Sequence, residues 1–346
     1  MRKSFVIFLL SLLSVSVFAQ QWHTTLDVLR PAAKTFPQGV SDLLIVNNTV
    51  QQPEDFGHAL VAYGSVKGNE SIDLSQAATR CLFAATQQFD FSGLFSSVGL
   101  VVKSQATGTF FASNSLLRPQ TDSLCSTYEA DAALSLDRLV IYDRKEIDLD
   151  VNYNYYAYLE VYAVSSWTLT RRNGQITTLT HVDTLYWESL SRTSSEALEQ
   201  LPDRQTALLD VAEYTGEQFA KKFIPQWETV DRYMYENTDS LMKEAMRHFT
   251  YRRWEQAIEL WQSCYDLSKS GSKKQKNLTE NCAYSAADLA VANEITGDIN
   301  AAIKWAKLSI EAFSKMESAD AAQQQVNMTF YLRELEQRKK EEQELR

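Results

Sequence analysis

The chain has 346 residues, a formal charge of −10 and 45% hydrophobic residues. That length predicts two or three domains. The apolar share, with 16 Tyr, 16 Phe and 7 Trp, excludes a largely disordered chain. The acidic balance argues against nucleic acid or an anionic membrane surface as main partner.

Residues 1–19 have the pattern of a secretory signal peptide. Arg2 and Lys3 give a charged start, residues 5–18 are apolar apart from serines, and Val17-Phe18-Ala19 precede Gln20. The run is short for a membrane span. Cleavage would take the formal charge from −10 to −12, because two basic groups leave. The expectation is an exported, periplasmic chain, with secretion or surface display as alternatives. No later stretch is long and apolar enough for a transmembrane segment. Cys81, Cys125, Cys264 and Cys282 form no C-x-x-C pair, so neither a redox nor a zinc motif is present.

Residues 20–37 are predicted extended, with Pro31 and Pro37 excluding a helix. Leu43-Leu44-Ile45-Val46 predicts a buried strand, and residues 51–69 a loop with a short strand over 59–63. Asp73 with Gln76 suggests a capping box, opening a helix whose apolar face holds Ala77, Ala78, Cys81, Leu82, Ala85 and Phe89. Residues 98–102 form the next strand. Thr121 or Asp122 opens a second helix to about Ala130, and residues 132–142 form a third strand.

Residues 155–171 and 176–188 flank Asn173-Gly174 and predict a long β-hairpin. A three-residue loop over Arg172, Asn173 and Gly174 sets Trp167 against Leu179, Val164 against Val182, Val161 against Leu185 and Leu159 against Trp187. A two-residue loop would set Val164 against Asp183 and Leu159 against Glu188. Apolar matching selects the former, with Gly174 left-handed. Pro202-Asp203 starts a helix ending before Pro225, burying Ala207, Leu208, Val211, Phe219 and Phe223. Residues 226–235 form an extended bridge into the carboxy-terminal helices, with Trp227 and Tyr233 expected to be buried.

Residues 240–315 predict two helical hairpins. Leu241, Ala245 and His248 precede Trp254, Ala257, Trp261 and Cys264, then Ala286, Ala290 and Asn293 precede Ile299, Ala302, Ala306 and Ser309. Gly297-Asp298 marks the second bend. The pattern resembles the tetratricopeptide repeat, although Ala257 and Ala302 lie 45 residues apart, about 11 more than its period. A final helix over 319–342 caps the stack and ends in a charged tail.

The chain as a whole resembles an uncharacterised family of exported Bacteroidetes proteins. The likeness rests on Arg30-Pro31-Ala32, residues 43–46, Phe95-Ser96-Ser97-Val98, Asp131 with Ala132, Asp183 with Trp187, Pro225-Gln226-Trp227, Arg232-Tyr233, and Trp254, Ala257 and Trp261. Members are often lipoproteins, and this chain lacks the lipidation cysteine. Its amino-terminal part is also similar in element order to the small α/β domains of curli-secretion lipoproteins and the TolB amino-terminal domain. The resemblance implies architecture and compartment, and no activity.

Phosphate-loop, dinucleotide, zinc-protease and serine-hydrolase motifs are absent from the sequence. His23, His58, His181 and His248 are far apart, and His181 beside Asp183 predicts a shared strand face. Asp148, Asp150 and Asn152 open like a calcium loop, but Tyr153 and Leu159 stand where Gly and Glu are needed. Tyr153, Tyr155, Tyr156, Tyr158 and Tyr162 suit either a half-buried sheet face or stacking on a ligand. No cofactor or metal is expected.

The expected fold class is α+β: a signal peptide (1–19), an α/β sandwich-like domain with a long hairpin (20–235), and an all-α tetratricopeptide-like domain with a capping helix (236–346). Met242, Met246, Phe249, Tyr284, Ala287 and Val291 should line its concave groove. That groove either packs on the α/β domain or final helix, or binds an envelope protein or peptide. Cys264 and Cys282, each nine residues from the centre of their connection, are expected to form a disulfide, with two buried thiols as alternative. The expected function is non-enzymatic protein–protein interaction or assembly in the cell envelope. A hydrolase or ligand-binding site in the α/β domain is the alternative.

Overall fold

The computed structural model describes residues 20–112, 115–172, 174–271 and 277–344. The predicted signal peptide, Asn173 of the hairpin loop and the centre of the 268–276 connection lie outside the described residues. The chain divides into two compact units, Ala32–Gln226 and a second made of residues 20–31 with 227–344. This break falls before residue 235, because the bridging segment packs with the helices.

Strand β1 (Gln20–Arg30) belongs to the second unit. The first unit runs β2 (Asp42–Asn47), β3 (His58–Ala62), β4 (Ser65–Asn69), α1 (Ala77–Ser92), β5 (Ser97–Val101), α2 (Arg118–Thr127), β6 (Ala132–Leu149), β7 (Tyr155–Arg171), β8 (Ile176–Ser191), α3 (Ser194–Glu199) and α4 (Arg204–Lys221). Its spine is β6, which extends seven residues past its expected end at 142. On one side β6 pairs with β7 along its whole length. On the other, β2 and β3 pair with it in parallel, one after the other. β5 is parallel to β2, and β8 completes the hairpin with β7.

The hairpin adopts the three-residue-loop register, with Trp167 opposite Leu179, Val164 opposite Val182, Val161 opposite Leu185 and Leu159 opposite Trp187. Gly174 has φ +83°, the left-handed region where glycine is at no disadvantage. Helix α1 starts later than the capping box implied. Asp73 accepts from Ser75 N and Oγ at 2.8 and 3.1 Å, which makes a local turn in place of a cap. Helix α2 starts earlier, with Pro119 in its first turn, where a missing N–H costs nothing.

Two cores flank the sheet. On one face Leu43, Ile45, Leu134, Leu136, Leu159 and Val161 pack against α1 and α4. The stacked rings of Trp167 and Phe219 lie there, 4.3 Å apart. On the other, Leu44, Val46, Val101 and Ala133 meet Leu116 and Cys125 near α2. Where α1 crosses α4, a Cβ on Gly216 would stand 1.9 Å from Cys81 O. Only glycine fits there.

The second unit continues with β9 (Gln226–Glu236), α5 (Ser240–Thr250), α6 (Trp254–Lys269), α7 (Leu278–Ile295), α8 (Ile299–Phe313) and α9 (Ala319–Glu344). Each helix packs on its sequence neighbours. Asp239 and Asp298 cap α5 and α8 by accepting from Leu241 N and Ala301 N, both at 2.9 Å. Helix α7 is buried nearly all round, including Asp288 and Glu294. Strands β1 and β9 form a two-stranded ribbon. Contacts of Trp22 with Glu236, Asp27 with Thr229 and Arg30 with Glu228 show that they run antiparallel. Trp227 and Tyr233 are exposed at 70% and 47%, contrary to expectation. Alternation in β9 turns Arg232 and Met234 inward and sends these rings outward.

Candidate functional site

The six expected groove residues, Met242, Met246, Phe249, Tyr284, Ala287 and Val291, do share one face of the helical unit, and that face is core: all are buried. The ribbon and last helix fill it. Tyr235 stacks on Tyr284 with centroids 4.9 Å apart. Its backbone N donates to Asp288 Oδ1 at 2.8 Å, and its hydroxyl donates to Gln324 Oε1 at 2.7 Å. Met234 from β9 and Met328 and Leu335 from α9 join the same core. An apolar groove needs a cover, and here the chain supplies it.

The ribbon is held by a buried charge cluster. Glu294 accepts from Arg232 Nε and Nη2 at 2.7 and 2.9 Å and from Tyr331 Oη at 2.7 Å, and pairs with Arg338. Arg232 also reaches Glu334, which in turn pairs with Arg30. Burial pushes the Glu294 carboxyl up, but Arg232, Tyr331 and Arg338 outweigh it and hold the group below its usual range. Burial and the Glu294 charge raise the Tyr331 hydroxyl well above its own. Burial likewise raises Asp288.

Beside this cluster, between β9 and α9, lies a cavity of about 260 Å³ lined by Asp231, Arg232, Tyr233, Tyr235, Val291, Asn327, Met328, Phe330, Tyr331 and Glu334. Phe330 is 63% exposed. The cavity gathers two carboxylates, and that of Glu334 is engaged by arginine. Sequence reasoning missed this site. A lone Glu just after the Ala-rich 286–292 stretch was its available signal.

The sheet unit has its own cleft, of about 200 Å³, where β2 and β5 end. From β2 the chain runs through β3 and β4 before α1 packs on one face, and from β5 it passes to α2 on the other. Asn47, Thr49, Gln51, Gln52, Ser75 and Ser104 line it with Leu74, Leu139 and Ile141. Hydrogen bonds fix the walls. Asn47 Nδ2 donates to Val102 O at 2.9 Å and Ser104 Oγ to Thr49 O at 2.7 Å. Gln52 fills the gap between β2 and β3 as a strand residue would, accepting from Ile141 N at 2.8 Å and donating to Ile141 O at 2.6 Å. Nearby, the β6 bulge turns Asp137 inward, where Asn48, Ser115, Ser135 and Thr168 all donate to it at 2.6–2.9 Å.

Residues 40–235 match a family model described as a domain of unknown function (DUF8603). The chain belongs to this family. Residues 243–337 match a second, a domain of unknown function (DUF6340). No curated protein matches the chain. Among solved structures it is similar to a Xanthomonas campestris protein of the DUF330 family, at 11% identity over 54% of this chain and 88% of that one, with a TM-score of 0.23. It is also similar to a putative neuraminyllactose-binding hemagglutinin homolog from Helicobacter pylori, at 7% identity over 55% and 91%, with a TM-score of 0.22. At such scores neither fixes a site here.

Within the DUF8603 region the other singled-out residues take structural places. His58 Nδ1 and Arg204 Nε both hold the buried Asp143 carboxylate, at 2.7 Å each. His181 lies between Lys222 Nζ, 2.5 Å from Nδ1, and Asp183 Oδ2, 2.8 Å from Nε2. Asp150 accepts from Asn152 N and Asn154 N at 2.8 Å each, so the calcium-like stretch is a turn. Tyr156, Tyr158 and Tyr162 share the sheet face away from α4, where Tyr162 stacks on Tyr142.

The DUF6340 region corrects the disulfide expectation. Cys264 and Cys282 are both thiols. Cys264 Sγ lies 3.9 Å from Asp239 Oδ1 near α5, and Cys282 Sγ 3.8 Å from Tyr265 O on α6. Equal distance from a turn sets the height of two residues and leaves open which way each side chain points around its helix.

Proposed function

We propose that the chain is a non-enzymatic protein–protein interaction factor of the cell envelope, and that its helical unit receives the partner. The supporting observation is the cavity between β9 and α9, with Phe330 and Tyr233 exposed at its rim and an ion-paired floor. Exposed aromatics around a rigid polar base are the usual anchors of recognition surfaces. Two antiparallel helix pairs in sequential contact favour a tetratricopeptide-like repeat, and the sequence likeness favours a Bacteroidetes envelope origin. Among the described residues no helix is long and apolar enough to cross a membrane.

The test is capture of envelope proteins by the tagged mature chain, with Phe330→Asp as comparison. Loss of a captured partner with an unchanged unfolding transition is expected. Equal capture by both would end this reading. The second reading, a ligand-binding site in the sheet unit, is favoured by the cleft at the ends of β2 and β5, whose amide and hydroxyl lining suits a neutral polar molecule.

A further inference from the structure

Strand β8 leaves an unused edge. Among the described residues it pairs with β7 alone, over 16 residues containing no Pro, Gly or Lys and no bulge. Proteins that keep a strand edge free commonly plant such breakers on it. The direction of its backbone groups follows from the hairpin. Arg171 N donates to Gln175 O at 3.0 Å, so this is a hydrogen-bonded pair, and such pairs alternate along an antiparallel ladder. Odd-numbered residues of β8 therefore turn N–H and C=O toward β7. Even-numbered ones, including Thr180, Val182 and Thr184, turn theirs to the open edge.

The buried face of the same strand holds a mismatch. His181 Nε2 and Asp183 Oδ2 are 2.8 Å apart, yet neither has an aligned hydrogen bond. Side chains two apart on one strand lie side by side, so they meet at a poor angle. Buried polar atoms of this kind call for a partner.

We propose that β8 pairs antiparallel with β8 of a second copy about a twofold axis at Val182. In that register His181 stands opposite Asp183 of the second copy, and Asp183 opposite His181. Leu179 meets Leu185, Thr180 meets Thr184, and Thr178 meets Tyr186. Sliding the axis to residue 183 sets Asp183 against Asp183, a destabilising like-charge pair. An axis between residues would set outward groups against inward ones and lose the ladder. The helices leave room: α3 and α4 both lie chiefly over β7, and less over β8. With strands about 4.8 Å apart, the two α4 helices would lie roughly 14 Å apart, beyond the 8–10 Å of packed helices.

Sedimentation equilibrium of the full mature chain tests this, and a dimer is expected. Val182 is exposed, so Val182→Glu and Val182→Lys leave the monomer fold intact. Across the twofold each would set two like-charged side chains directly opposite, on Cα atoms about 5.5 Å apart. Each variant alone should self-associate at least about 100-fold more weakly, and an equimolar mixture should form the mixed dimer. Val182→Pro, which removes an edge N–H, should also be monomeric with an unchanged melt. A wild-type chain that sediments as a monomer at every loading overturns the proposal and leaves the edge to a strand of another protein. Variants that stay dimeric, or a mixture that fails to pair, overturn it equally.

Discussion

Replacing Glu294 with Ala removes the carboxylate on which Arg232, Arg338 and Tyr331 converge. Arg232 is only 5% exposed, and its remaining carboxylate, Glu334, is 31% exposed. A buried cation that loses its main partner costs about 3–5 kcal/mol, so the helical unit should lose that much stability. Replacing both partners, Arg232→Met with Glu294→Leu, should cost much less, below about 2 kcal/mol, since apolar groups of similar volume substitute well for a buried pair. Arg338 can then turn to solvent. Acid should mimic the single change. Arginine holds the Glu294 carboxyl below its usual 4.5, so its contribution is complete above that pH and disappears as pH falls below it through the folded value. Urea unfolding followed by helical ellipticity measures all three effects. A single-variant loss below about 1 kcal/mol, the worth of a surface pair, would refute the account of the cluster, as would a double variant weaker than the single.

Gly216→Ala should destabilise the sheet unit by about 3 kcal/mol or more, because its Cβ would overlap Cys81 O and force α1 from α4; thermal melting reads this directly. A non-reduced digest analysed by mass spectrometry should show thiols at Cys264 and Cys282, and Cys282→Ser should leave the melting temperature within a few degrees. A 264–282 bridge would contradict the arrangement around Tyr265 O and Asp239.

The hairpin register was legible because a one-residue slip sets Val164 against Asp183, and apolar pairing excludes it. Helix α4 was legible for a similar reason, since Asp203 caps it and Ala207, Leu208, Val211 and Phe219 keep one face apolar. The far half of β6 was hidden by Asp143, Arg144, Lys145 and Glu146, which look like a loop. In the structure Asp143 is held by a hydrogen-bond contact with His58 and an ion pair with Arg204, 85 and 61 residues away. The candidate site was harder still. Periodicity marks Met242, Met246 and Phe249 as one apolar face, but says nothing of what lies on it. The cover, Met234 and Tyr235, comes from a segment whose own alternation points Arg232 inward, toward a glutamate 62 residues on.

The β1–β9 ribbon also sets an order of events. Its first strand is synthesised before the sheet unit and its second after it, so β1 waits about 200 residues for its partner. Until then β1 has two open edges, while residues 32–226 have all they need to close their own core. Closing so long a loop is slow unless the intervening chain has already compacted. The sheet unit should therefore fold first and bring the ends near each other. A truncation beginning after Arg30 would leave β9 unpaired and Arg232 without the neighbouring Arg30–Glu334 contact. In this protein the late-made helices depend on the earliest described strand, and a lesion at either end of the chain should damage the same unit.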